Sequence, residues 1–338
     1  MDIKSKTMKQ FPVIKAIATY LPNNLVHTKD IVQKIKSDHL LLKNGLLERL
    51  LFQNTRHFAH TETQVSDLAC AAAVKILEQF PNTTIDFLIF AAASSDLIEP
   101  ATANIIQLKL GLQCPVMDVK NACNSLVSAM QTASAFVDAG YYKNVLIVNG
   151  EKLSEVINYN PRDHEHLTRC LASYSLGDAG AAVLIGLGEG SRIIYQKFTS
   201  MGTYWNLSTV AGGGSMAYRD LDKYYFESDS RTLNDVFNKQ MPEFVLQSFQ
   251  EANWKLEDID CVIAHQVSNS TIPQVAEIFN LPLEKCVNTF GLYGNTAAAT
   301  IPLAIDYALN EGKLKKGDKL LVLGMAAGIS LSVQLIEW

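Results

Sequence analysis

The chain has 338 residues, of which 48% are hydrophobic and 19% charged, with a formal net charge of −5. This length exceeds one simple core and predicts two domains or two fused halves. Mild acidity leaves no basic face, which argues against nucleic acid, and no apolar run reaches the ~18 residues of a membrane helix.

The start, "MDIKSKTMKQFPVIKAIATYLP", carries charge and no apolar run of signal-peptide length. A cytoplasmic protein without a membrane partner is expected. The six cysteines, Cys70, Cys114, Cys123, Cys170, Cys261 and Cys286, form no C-x-x-C pair and show no zinc-ligand spacing with a histidine. Disulfides are not expected in such a compartment, and no metal site is expected.

"VSDLACAAAVKILEQF", from Val65, reads as a helix. "TIDFLIFAAASS", from Thr84, reads as a buried strand with a small, polar exit. "CPVMDVK" is a strand leading to Cys123 and to a helix rich in small residues, and "NVLIVNG" is a further buried strand. "LIGLGEGSR", around Gly188, reads as a hinge or hairpin. "DIDCVIAHQVSN", from Asp258, repeats the Thr84 pattern, and Ile259-Asp260 follows Ile85-Asp86 by 174 residues. "YGNTAAATIPLAIDYALNEGKLKKGDKLLVLG", from Tyr293, repeats the turn, helix, glycine and strand that begin at Asn121. Cys123 matches Asn295 at an offset of 172, and Gly150 matches Gly324 at 174. Buried strands alternating with helices predict an α/β protein with sheets covered on both faces. The halves are expected at 1–190 and 191–338.

Ligands of open α/β sheets sit beyond the carboxyl ends of the strands. Cys123, His265 and Asn295 lie at such ends, and the internal symmetry predicts that they converge. Each has a plainer reading: a core cysteine, a structural histidine, a turn before a packed helix. Together they make a chemical set. A thiol at a helix N-terminus sits in a positive partial field, which predicts a lowered pKa. Histidine can donate a hydrogen bond or move a proton, and an Asn amide donates without titrating. The set suits acyl transfer through a covalent intermediate.

Five stretches then carry a resemblance: "NAC" at 121–123, "SLGDAGAAVLIG" at 175–186, "HQVSN" at 265–269, "YGNTAAATIPLAI" at 293–305 and "MAAGIS" at 325–330. In order and spacing the chain resembles the thiolase-fold condensing enzymes of the 3-oxoacyl-acyl-carrier-protein synthase III group. That resemblance implies a thiolase-like fold of two pseudo-symmetric halves layered αβαβα. It implies a homodimer using CoA or acyl-carrier-protein thioesters, with no further cofactor. Cys123 would take the acyl group. His265 and Asn295 would hold the enolate oxygen of a malonyl-type extender as it loses CO2, in fatty acid or polyketide-like biosynthesis. The N–H groups of Cys123 and Ala327 would form an oxyanion hole. The family has glycine at the latter position, and alanine still offers its N–H where the turn tolerates a Cβ.

The chain also departs from that family. Asn124-Ser125 follows the nucleophile where Ser-Gly or Ala-Gly is usual. The stretch "KSDHLLLKNGLLERLLFQNTRHFAH" lacks the Trp and the Arg-Thr-Gly-Ile run of the family's CoA contact. "SSDLIEPATA" resembles a loop of the olefin-pathway enzymes, whose glutamate acts as a base that reaches the partner subunit's site. Here that residue is Glu99, whose alternative reading is a helix-start acid beside Pro100. "IVNGE", ending at Glu151, resembles the same branch.

Three functions follow: decarboxylating condensation, a non-decarboxylating Claisen condensation or acyl transfer with Glu99 as base, and a silent partner subunit. The intact Cys123, His265 and Asn295 argue against the third. "PRDHEHL" at 161–167 reads as a solvated loop, and "AGGGS" at 211–215 as a flexible loop near the site mouth. "LKKGDK" reads as a solvated turn whose lysines could meet an acidic carrier.

Overall fold

A computed structural model describes residues 11–36 and 55–338. Most of the stretch compared with the family's CoA contact, 37–54, lies outside the described residues. In chain order the strands are β1 Val13–Tyr20, β2 Asn24–His27, β3 Thr55–Phe58, β4 Phe87–Ala91, β5 Val116–Val119, β6 Asn144–Glu151, β7 Ala179–Gly186, β8 Ser191–Ser200, β9 Ser208–Thr209, β10 Glu227–Ser228, β11 Cys261–Ala264, β12 Lys319–Ala326 and β13 Ser330–Glu337.

Nine of them hydrogen-bond in the order β11-β12-β13-β8-β1-β7-β6-β4-β5. The order repeats. β4 pairs β6 in parallel, and β6, β7 and β1 then follow antiparallel. β11 pairs β12 in parallel, and β12, β13 and β8 follow antiparallel. β5, parallel to β4, has as its counterpart only the bridge Val262–Cys286. Edge to edge, β1 and β8 join the two groups in a short antiparallel ladder, Val13–Arg192 and Ile14–Ser191. The chain passes from one group to the other at 187–190.

Period-two alternation splits each strand between two cores. Leu88, Phe90, Leu146, Val148, Ala182 and Leu184 face the outer helices Val65–Gln79 and Thr102–Leu110. Their neighbours Ile89, Ala91, Val145, Ile147 and Val183 face inward. There they share a core with helices Ser125–Asp138 and Thr300–Asn310 and with Ile263, Leu320 and Val322 of the second group. Val262, Leu321, Leu323 and Val333 turn outward onto helices Ser230–Ala252 and Thr271–Ile278. The result is the expected thiolase-like layering: helices, sheet, helices, sheet, helices. Gly180 of the "GDAG" stretch has a packing reason, because a Cβ there would lie 2.0 Å from the Leu68 carbonyl oxygen. Only glycine lets the outer helix sit this close to β7.

One local expectation fails. The "PRDHEHL" stretch is not a loop, since His164–Cys170 is a helix. Asp163 caps it, its carboxylate accepting the His166 N–H at 2.8 Å. His166 is buried; its Nδ1 accepts from the Arg162 N–H at 3.1 Å and its Nε2 faces Glu227 at 3.6 Å. Among the described residues no group of three or more His, Cys, Asp or Glu could hold a metal, and no helix is long and apolar enough to cross a membrane.

Candidate active site

The strand-end residues meet. Cys123, His265, Asn295 and Ala327 all line one cavity of about 1120 Å³. Each arrives on a different element, two from strand exits and two from turns.

β5 hands the chain to a tight turn at 121–123, two residues before the helix Ser125–Asp138 begins. Ala122 takes φ +47, a left-handed backbone that disfavours any Cβ. The Ser125 hydroxyl steadies that turn by accepting the Asn121 N–H at 2.8 Å and donating to the Ala122 carbonyl at 2.7 Å. His265 follows β11, its N–H donating to the Leu323 carbonyl at 2.9 Å. Gln266 beside it is fully buried and anchors the next loop. Its Oε1 accepts from the Thr289 and Phe290 N–H groups at 2.9 and 3.0 Å, and its Nε2 donates to the Val287 carbonyl.

Asn295 is tied on three sides. Its N–H donates to the Ser175 carbonyl at 2.9 Å, and its own carbonyl accepts from the Gly177 N–H at 3.0 Å. Its Oδ1 accepts the Ala297 N–H at 2.9 Å, so Nδ2 is the atom left to donate into the cavity. Ala327 sits in the hairpin between β12 and β13. Gly328 (φ +75) and Ile329 (φ +43) carry the left-handed backbone of that hairpin, while Ala327 does not. The alanine that replaces the family's glycine is therefore unstrained.

The electrostatics reverse one expectation. The Cys123 thiol is not acidified; its pKa is pushed up to about 12, first by burial and then by the nearby Glu151 carboxylate. The N–H groups of Cys123 itself and of Ala327 donate toward the sulfur and pull the other way. Cys123 is half-buried and lines the cavity. Two aligned donors and a helix end do not offset lost hydration plus a like-charged neighbour. Burial likewise lowers the His265 pKa to about 4. Its ring nitrogens make no hydrogen bond to the described residues. At neutral pH the site thus holds a neutral thiol, a neutral imidazole and an amide donor.

Glu151, the last residue of β6, is fully buried. Its carboxylate accepts from the Ala93 N–H at 2.8 Å, the Ser94 N–H at 3.1 Å, the Ser94 hydroxyl at 2.9 Å and, at 3.4 Å, the Asn149 amide and the Ala298 N–H. Burial still raises its pKa. Its five donors come from the β4 exit, from β6 and from the turn that follows Asn295, so it braces three walls of the site. Glu151→Gln should lower the Cys123 pKa. Alkylation by iodoacetamide at fixed pH near 8 should then speed up by roughly tenfold for each pKa unit recovered. An unchanged or slower rate would show that the carboxylate does not suppress the thiolate.

Glu99 lies elsewhere. It is exposed on the loop before helix Thr102–Leu110 and does not line the cavity, whereas Leu97 and Ile98 do. Gly212–Gly214 of the "AGGGS" stretch line the cavity. Local pattern had pointed to neither Gln266 nor the bracing role of Glu151. The signals were that each residue ends a buried strand stretch and falls within a quoted family-like segment, "HQVSN" or "IVNGE".

Two family descriptions match the chain: 3-oxoacyl-[acyl-carrier-protein] synthase III over residues 117–202 and its C-terminal region over 249–338. The beta-ketoacyl-[acyl-carrier-protein] synthase III of Neisseria gonorrhoeae is 30% identical over 335 residues, covering 97% of this chain and 100% of that one. The crystal structure of cerulenin-bound OleA from Xanthomonas campestris superposes with a TM-score of 0.88 at 25% identity, covering 97% of each chain. The 3-oxoacyl-[acyl-carrier-protein] synthase III of Aquifex aeolicus superposes with a TM-score of 0.82 at 27% identity, over 97% of this chain and 100% of that one. With family matches, relatives and fold in agreement, the chain belongs to the 3-oxoacyl-acyl-carrier-protein synthase III family of thiolase-fold condensing enzymes.

Proposed function

We propose that the protein transfers an acyl group from a CoA or carrier-protein thioester to Cys123. It then joins that group to a malonyl-type extender with loss of CO2. The observation that carries this reading is the pairing of a neutral His265 with the Asn295 amide beside Cys123 in one cavity. Two neutral donors suit an enolate oxygen, whose charge appears only when carbon–carbon chemistry begins. Cys123 and Ala327 supply N–H groups for the tetrahedral oxyanion. With its pKa pushed up to about 12 the thiol must lose its proton during attack, and the departing thiolate is the acceptor at hand.

Decarboxylation needs no carboxylate base. The acids lining the cavity are engaged. Asp96 accepts the Ser66 N–H at 3.0 Å, Asp118 accepts the Thr102 and Ala103 N–H groups, and Glu155 pairs with Lys152 at 3.2 Å. The cavity's size and walls suit a long acyl chain. Phe226, Phe237, Met241, Val275, Phe290 and Met325 line it, and its volume exceeds the ~300–1,000 Å³ usual for small ligands. An acyl chain of fatty acid or polyketide-like synthesis in the cytoplasm fits this space.

A second reading rests on Glu99 and the likeness to OleA. The exposed apolar pair Leu97 and Ile98 (49% and 72% exposed) flanks Glu99, which fits a loop that crosses a homodimer interface and presents Glu99 to the partner's cavity. An acyl thioester without a carboxyl group must lose an α proton, and a held base typically contributes ~10²–10⁴-fold. The test is product formation from acyl thioester alone against acyl plus malonyl thioester, in wild type and in Glu99→Ala. Decarboxylating chemistry predicts product only with malonyl thioester and a modest change in the variant. Product from acyl thioester alone, lost on the ~10²–10⁴ scale in Glu99→Ala, would replace this reading with the Claisen one. Sedimentation of the same sample at micromolar concentration checks the dimer, and a monomer of 37.3 kDa would refute it.

A further inference from the structure

Asn124 stands directly after the nucleophile and is fully buried. Its Nδ2 donates to the Ser330 carbonyl at 3.1 Å and to the Ser330 hydroxyl at 2.9 Å. That hydroxyl lies 3.4 Å from the Asn121 Oδ1, which it can reach as donor, and the Asn121 amide donates to Ser128 at 2.9 Å. The nucleophile turn of the first half is thereby bound to the first residue of β13 in the second half.

Between Ala327 and Ser330 lies the tightest backbone of the hairpin. Ile329, a wholly buried β-branched residue, is held at φ +43, a conformation that persists only where the surroundings over-determine it. Its side chain packs in the outer core of the second group, and two polar ties hold the backbone around it. The Ile329 carbonyl accepts the Met201 N–H at 2.8 Å, and Ser330 is gripped by Asn124. Space for that grip comes from Gly324, where a Cβ would lie 2.2 Å from Asn124 Oδ1 and 2.1 Å from the Ser332 hydroxyl. Asn124 Oδ1 itself has no hydrogen-bond partner. A buried amide with half its capacity unmet is a poor choice for stability alone, which points to the donor half as its purpose.

We propose that Asn124 is a positioning residue: through Ser330 it holds the β12–β13 hairpin so that the Ala327 N–H faces Cys123. The oxyanion hole is thus assembled across the two halves. This rests on the acyl-transfer reading above. Losing one well-aimed oxyanion donor typically slows a reaction ~10²–10³-fold, and loosening one slows it by part of that. Alkylation by iodoacetamide displaces iodide in a single step without a tetrahedral oxyanion, so it reports the thiol and not the hole.

The test compares wild type, Asn124→Ala, Ser330→Ala and the double variant. It measures transfer from octanoyl-CoA and myristoyl-CoA to Cys123 by intact-protein mass spectrometry, with iodoacetamide alkylation in parallel. Asn124→Ala should slow acyl transfer by about 10–100-fold while alkylation changes by less than about threefold. The double variant should be no slower than Asn124→Ala, because both residues serve one contact. Acyl transfer at the wild-type rate, an equal fall in alkylation, or losses that multiply in the double variant would each overturn the proposal. Should Asn124→Ala not fold, Asn124→Ser, which also lacks the amide donor to the Ser330 carbonyl and hydroxyl, decides: a several-fold loss confined to acyl transfer supports the proposal, and none refutes it. If the wild type alkylates but accepts no acyl group from any CoA or carrier-protein thioester, the acyl-transfer reading itself has failed.

Discussion

Wild-type protein incubated with acyl-CoA and acyl-carrier thioesters of graded length should gain one acyl mass on Cys123, and Cys123→Ala should gain none. The loss is expected to be complete, because no other thiol lines the cavity. Cys114, Cys170, Cys261 and Cys286 are buried and do not line it. Cys70 is half-buried on the outer helix Val65–Gln79, with its pKa raised to about 11. Replacing a small side chain at the cavity edge removes little packing, so circular dichroism should report an intact fold. A peptide map with the label on Cys70 and Cys123 free would reject the assignment.

His265→Ala and Asn295→Ala should separate the two halves of the reaction. Both variants should still acylate Cys123 within several-fold of wild type. Carbon–carbon bond formation should fall by ~10²–10³-fold in each, the usual loss for one oxyanion donor. The enolate oxygen that they serve exists only after acylation. The pH dependence adds a check. With its pKa lowered to about 4, His265 stays neutral and able to donate above about pH 5. The condensation rate should therefore show no limb between pH 6 and 8 from this histidine, where an ordinary imidazole near 6.5 would titrate. A variant that fails at acylation and at nothing else would undo this division of roles.

Much of this site was legible before any coordinates, for a physical reason. Cys123, His265 and Asn295 sit at polar breaks where apolar strands or their turns end, and an internal offset of 172–174 residues related those ends. What stayed hidden depends on contacts between residues far apart in the chain. Glu151 takes its role from Ala93, Ser94 and Ala298, and Asn124 takes its role from Ser330, 206 positions away. The departure at Asn124 was visible, but its partner was not. The acidity of Cys123 was misread because a helix terminus is a local feature, while burial and the Glu151 charge are not. The "PRDHEHL" helix was missed because it is seven residues long and its cap, Asp163, reads equally well as a turn.

The elevated pKa of Cys123 also bears on how the protein lasts between turnovers. Oxidants and adventitious electrophiles attack the thiolate, not the thiol. A thiol whose pKa is pushed up by burial and by Glu151 presents far less thiolate at pH 7 than the few per cent of an ordinary cysteine. Burial and Glu151 therefore act as a chemical safety catch. A raised pKa slows the sulfur toward peroxide and stray alkylators, while a bound thioester's leaving thiolate gives the proton somewhere to go during acyl transfer.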